Sequence, residues 1–358
     1  MATLLSSFMK SDSSVIEAPA EVVSASEAGA VADGHDRGRA VASVARPADD
    51  AAAALSAPPA SGASATSIAP PRSAILWGAV GVIAFSMTLP ATRLAVSEID
   101  PVIVGPGRAV VAGLLAAVVL ILTRQSLPPR ALWGRLVAVA IGVVIAFGVL
   151  TALALKSVPA SHAAVMTGLL PAMTAVMAAL RAGERPSRGF WISCALGLGA
   201  VLVFAVARGA GQLHGADLLL LLAMLLCSWG YAEGAAAARV MGGWQVMCWG
   251  LVTAWPFIAP IVILRVATQG VSAGPAALVA FAYVSLVSSF LGMVAWYRGL
   301  AQGGIARIGQ LQLAQPVLTL IWAALLLGER VTLGTVAASV AVLASVALTQ
   351  RMRVSRAG

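Results

Sequence analysis

Three ionisable side chains stand out inside long apolar stretches, where a charge is costly: Arg108, Glu233 and His162. In a bilayer such a group marks a substrate or ion path, or else one member of a buried structural pair. Arg108 is a permanent planar cation suited to holding a carboxylate. Glu233, the one carboxylate well inside an apolar stretch, suits a cation or a proton. His162 stands near the start of its stretch and fits either a functional or an interfacial group. Amides follow at Gln310, Gln312 and Gln315, the last immediately before Pro316. Amides at that depth need partners, either a neighbouring helix or a substrate. Trp229 and Tyr231 could line a cavity by stacking, whereas Trp296 and Tyr297, near a stretch end, read as interfacial anchors.

Other chemistry lacks its parts. There is no Gly-x-Ser-x-Gly elbow or His-Glu-x-x-His pair, and His35 and His214 lie outside the apolar stretches. Lys10 and Lys156 are the only lysines, and no phosphate-binding Gly-x-x-x-x-Gly-Lys loop exists. Neither an enzyme nor an ATP-driven machine is expected, nor any cofactor or metal. Cys194, Cys227 and Cys248 fall in apolar stretches and read as small apolar residues.

The elements that position these residues must be membrane helices. The 358 residues are 60% hydrophobic and only 10% charged, with a mean hydropathy of +0.93. Lipid leaves backbone groups unsatisfied except in helices or closed barrels, and uninterrupted apolar runs exclude barrel strands. Ten spans are predicted: 74–96, 101–122, 132–154, 159–180, 189–207, 217–238, 244–264, 275–297, 305–327 and 331–349. Ahead of them, residues 1–72 hold 8 of the 14 acidic residues in an Ala-, Ser- and Pro-rich segment without apolar periodicity. That composition predicts a disordered tail. Residues 350–358 form a short C-terminal tail.

The chain repeats itself. Pro171 to Arg185 and Pro316 to Arg330 lie 145 residues apart (316 − 171) and agree at 8 of 15 positions, including the proline and the closing Gly-Glu-Arg. Such a self-match indicates duplication, giving one five-helix repeat over 74–207 and a second over 217–349. An odd number of spans per repeat requires the copies to insert with opposite orientation, the plan of many secondary transporters. Gly183 and Gly328 suit helix ends, with Arg185 and Arg330 favoured there by the helix dipole. Pro171 and Pro316 fall near mid-span and are expected to kink their helices near the midplane, where such transporters bind substrate.

With the N-terminus inside, cytoplasmic loops and span ends carry 13 basic residues against 5 outside, so both termini are expected in the cytoplasm. The net charge of +9 is then a topology signal scattered between spans, not a nucleic-acid surface. Arg108 would lie about 10 Å from the outer end of its span and Glu233 about 9 Å from the inner end of its own. In a core of about 30 Å that leaves roughly 11 Å between them, so a structural Arg108–Glu233 ion pair is an alternative to two separate sites.

The two Pro-x11-Gly-Glu-Arg helices, with Trp77-Gly78, Pro90-Ala91-Thr92-Arg93-Leu94-Ala95, Arg108, and Ala154-Leu155 through Pro159-Ala160-Ser161, resemble the EamA-type members of the drug/metabolite transporter superfamily. The resemblance covers roughly 74–349 and departs from its pattern at Gly303-Gly304, where the first repeat has Val158-Pro159. It implies an all-α integral membrane protein of the cell membrane, with ten transmembrane helices in two inverted repeats. The expected partners are a small-molecule substrate and the lipid bilayer. The expected activity is gradient-driven export of small metabolites, amino acids or similar compounds first. Proton-coupled efflux of cationic drugs through Glu233, and a non-transporting scaffold or receptor, are the alternatives.

Overall fold

The structure, a computed structural model, describes residues 72–182, 185–208, 214–303, 309–351 and 354–355. The expected N-terminal tail, the Gly183-Glu184 turn and Gly304 lie outside them.

Eight apolar helices reach membrane-crossing length: Arg72–Val96, Pro101–Leu122, Arg130–Leu155, Ala160–Arg181, Arg188–Ala207, Gly215–Met241, Gly243–Gln269 and Pro275–Gly299. Two shorter ones, Leu311–Leu327 and Leu333–Thr349, complete ten among the described residues, each at a place expected from sequence. They are numbered here as spans one to ten. The chain is an all-α membrane protein, and its extended pairing among the described residues is a two-residue antiparallel bridge of Arg185–Pro186 with Val354–Ser355. That bridge sets the loop after span four beside the C-terminus.

Local chemistry fixes the helix ends. Span two starts at Pro101, and the Asp100 carboxylate accepts the Val102 N–H at 2.7 Å. Span six starts beside His214, whose N–H is accepted by Asp217 at 2.9 Å. Span nine stops at Gly328, which takes φ +63°, so that the Glu329 N–H can bond back to the Ala323 carbonyl.

Packing between the two halves of the chain follows one rule. Spans one and eight, two and seven, three and six, four and nine, and five and ten all lie against each other. Exchanging each helix for its counterpart five places along leaves this set unchanged. Between helices in lipid the driving force is close packing, which small residues permit. A Cβ on Gly105 of span two would stand 2.7 Å from the Gly148 carbonyl oxygen of span three. One on Gly142 of span three would collide with the Leu226 carbonyl of span six. Two large apolar cores result among the described residues, beside a small cluster of Ala74, Val82 and Trp296. One gathers Leu89, Val104, Leu155, Met166 and Leu220, and the other Ala112, Leu136, Val246 and Leu251.

Between those cores the helices become irregular. Span one breaks at Met87, between Arg72–Ser86 and Thr88–Val96. Span four breaks between Ala160–Thr167 and Leu170–Ala182. Span nine enters through a 3₁₀ turn, Gly309–Ala314, before its α-helix Gln315–Leu327. Spans three and eight carry π-helical segments, Ala140–Ala146 and Tyr283–Leu291. Pro171 and Pro316 are therefore not kinks within continuous helices. Each lies in the first turn of a new α-helical segment, where its missing N–H breaks no hydrogen bond.

Two aromatic expectations change as well. Trp296 is buried against Ala74 and Val82, with Phe85 edge-on at 6.3 Å, so it is a core residue and not an interfacial anchor. Tyr297 closes a small pocket with Trp244 and Met247.

Candidate functional site

All five irregular segments meet at one cavity of about 110 Å³. Phe85, Thr88 and Leu89 come from the break in span one, Val143 and Val144 from the first π segment, and Ser288 and Ser289 from the second. Thr167, Gly168 and Pro171 come from the break in span four, and Gln312, Gln315 and Pro316 from the start of span nine. Irregular backbone survives at membrane depth where protein or a water-filled cavity satisfies it. Here Thr319 donates to the Ser86 carbonyl at 2.8 Å, supplying a partner at the break in span one. Trp322 Nε1 donates to Ser86 Oγ at 3.0 Å, tying spans one and nine at the same point.

Arg108 is the charged residue of the lining. It is 7% exposed, and its guanidinium carbon stands 5.9 Å from the centre of the Phe147 ring. None of the ion pairs among the described residues includes it. The backbone crossing of Gly105 and Gly148 makes room for this placement. A Cβ on Gly148 would stand 3.4 Å from both Arg108 Nε and one terminal nitrogen. Around the guanidinium the wall is mixed: Phe85, Leu89, Met247 and Met293 are apolar, while Tyr231, Gln312 and Gln315 offer a hydroxyl and two amides. Thr88 Oγ1 and Ser288 Oγ are hydrogen-bonded to each other at 2.7 Å across spans one and eight.

The remaining candidates from sequence lie elsewhere. Trp229 does not line the cavity, although Tyr231 two residues later does. Glu233 is buried but off the cavity, where it pairs with Arg181 of span four and, at 4.0 Å, with Arg135 of span three. The Arg108–Glu233 pair weighed from sequence is absent from the described ion pairs. A straight-line depth estimate ignores which face of span six each residue occupies. Glu233 is two residues from Tyr231, about 200° around the helix, and so faces away from the cavity. The Arg181 side chain is 61% exposed and the Glu233 side chain 5%, so the pair reaches from between the helices to the protein surface. His162 is also buried off the cavity. Its Nε2 is hydrogen-bonded to Asp217 Oδ1 at 2.6 Å, and its ring stacks at a tilt on Phe204, 5.1 Å away.

Sequence reasoning missed Asp217, which doubles as helix cap and histidine partner. It also missed Glu329 of the second Gly-Glu-Arg. That carboxylate accepts the N–H groups of Ala160 and Ser161 at 2.7 and 2.8 Å. The spacing of the motif revealed the turn but not the carboxylate's distant partner.

The model of the EamA-like transporter family matches twice, over residues 72–206 and 214–351. A relative from Bacillus subtilis (strain 168), named as the uncharacterized transporter YdeK, is 46% identical over 274 residues, 76% of this chain and 96% of its own. A solved structure described only as a crystal structure of protein is 16% identical with a TM-score of 0.55, covering 78% of this chain and 98% of its own. At that identity it speaks for the fold alone.

Proposed function

Since the chain belongs to the EamA-like transporter family, we propose that it is a secondary active transporter exporting small carboxylate-bearing metabolites, amino acids or amino-acid-like compounds first, by alternating access. The observation that carries this reading is Arg108: a buried guanidinium facing a cavity with no carboxylate partner among the described residues. A buried lone cation is costly, and an anionic ligand in the cavity would remove the cost. The guanidinium fork would take the carboxylate, while Gln312, Gln315 and Tyr231 would bond the polar remainder and the apolar wall would cover the body. Cationic-drug efflux would need an anionic group in the cavity. Glu233 does not supply it, being held by Arg181 and Arg135.

Substrate class is tested by resistance. Cells expressing the protein should survive toxic amino-acid analogues better than cells without it, and should gain nothing against quaternary ammonium compounds. Protection against the quaternary compounds alone would overturn the assignment.

The cycle proposed here has two inverted halves rocking about the cavity in the cytoplasmic membrane, with both termini inside. The self-consistent packing of helix pairs supports it, as does the bridge between the span-four loop and the C-terminus. Single cysteines at Ser187 and Thr332 in a cysteine-free background should then label from opposite sides with an impermeant thiol reagent. Equal labelling in intact cells would remove the inversion.

A further inference from the structure

The half-helix Ala160–Thr167 is an unusual unit. Residues Ala160 to Met166 are all buried. One end follows Pro159, which is extended at φ −62° and ψ 155°, and the other ends in the turn at Gly168 before the next helix starts at Leu170. Neither end is continued as α-helix, so this eight-residue rod can pivot without breaking its own hydrogen bonds. Its inner end, Thr167 and Gly168, is part of the cavity wall. Its outer end is held by two carboxylates from the second half of the chain. Glu329 accepts the N–H groups of Ala160 and Ser161, and Asp217 is hydrogen-bonded to His162.

We infer that the half-helix Ala160–Thr167 is a gate of the cavity, that Glu329 and Asp217 are the positioning residues that latch it shut, and that opening the cavity on that side requires their release. A cap serving folding alone would need only one partner at the helix start. Here the second carboxylate grips a side chain one residue further in, across a different helix, so the whole outer turn is fixed to the other half of the protein. The latch carboxylates do not reach the cavity, and therefore act by holding its wall. The second Gly-Glu-Arg thereby gains a role for its glutamate: Gly328 turns the chain, and the turn aims Glu329 at the gate.

The inference rests on the alternating-access reading above, but its test uses no substrate, so failure of either can be told from failure of the other. A cysteine at Thr167 is placed in a background where Cys194, Cys227 and Cys248 are replaced. Its reaction rate with methanethiosulfonate ethylsulfonate, an impermeant anionic reagent, is measured from the side that bears Ala160. Glu329→Ala removes both acceptors and should raise the rate about tenfold or more, because charge-assisted bonds that hold a closed state set its opening equilibrium. Asp217→Asn should act in the same direction while leaving an acceptor for the span-six cap. Glu329→Gln, which keeps one acceptor oxygen, should give a smaller rise. Unchanged rates in folded protein would overturn the latch. Loss of the monodisperse folded peak in all three variants would overturn it equally, showing a folding cap and no gate.

Discussion

Arg108→Gln is expected to abolish discrimination between a carboxylate-bearing substrate and its amide while leaving the folded yield intact. Both halves of that statement come from the same geometry. Removing one member of a buried pair strands the other, which is why such substitutions usually unfold proteins. Arg108 has no carboxylate partner among the described residues, so glutamine strands nothing and removes a buried charge from the empty protein. With substrate bound the opposite holds, since the carboxylate would sit desolvated with no counter-charge. Truncating one side of a buried charge pair typically costs about 2–5 kcal/mol, or roughly thirty- to several-thousand-fold in affinity. Arg108→Lys should fall between, keeping the charge but losing the two-pronged geometry. Binding or vesicle transport of an amino acid and its amide, compared for parent, Arg108→Lys and Arg108→Gln, is the measurement. Full discrimination in the glutamine variant would show that the substrate charge lies elsewhere.

The second large effect is structural. Gly142→Ala should lower thermal stability or folded yield sharply, although glycine-to-alanine within a helix ordinarily stabilises it by about 0.5–1 kcal/mol. Its new Cβ would meet the carbonyl of Leu226 and lie 3.2 Å from the Gly230 backbone nitrogen, and backbone on the facing helix cannot swing aside. Overpacking of this kind costs about 1–3 kcal/mol and sometimes more. Gly134, in the same span, would have nothing within 4 Å of an added methyl and provides the control. Melting in detergent should show Gly134→Ala at or above the parent and Gly142→Ala several degrees below. Equal melting would mean that spans three and six part freely.

Much of the fold was readable from the chain, and the reason is physical. Lipid enforces continuous apolar helices, so composition alone located the spans. The Pro-to-Arg self-match pointed to their division into two sets. Arg108 was readable for the same reason as the spans, since an isolated cation in an apolar run stands out without knowledge of its neighbours. What could not be read depends on rotation about a helix axis or on residues far apart in the chain. Tyr231 faces the cavity and Glu233 two residues on does not. Asp217 finds His162 55 residues away, and Glu329 finds Ala160 169 residues away. The π segments carry no signature either, for Ala140–Ala146 and Tyr283–Leu291 have the composition of ordinary membrane helix. Pro171 and Pro316 signalled disruption, but not that the helix would yield just before them.

Arg108 also makes the cavity an electrical element. On the proposed reading the empty site carries one positive charge; loaded with a simple monoanionic carboxylate it carries none, and loaded with a zwitterionic amino acid it still carries one, because the substrate's own ammonium group replaces the charge that its carboxylate neutralises. A charge moved through the full membrane field changes in energy by about 2.3 kcal/mol per 100 mV. Membrane voltage would therefore act on the return of the empty carrier, and would act on the loaded passage as well when the cargo is a zwitterion but hardly at all when it is a simple anion, so voltage dependence would distinguish the two kinds of cargo.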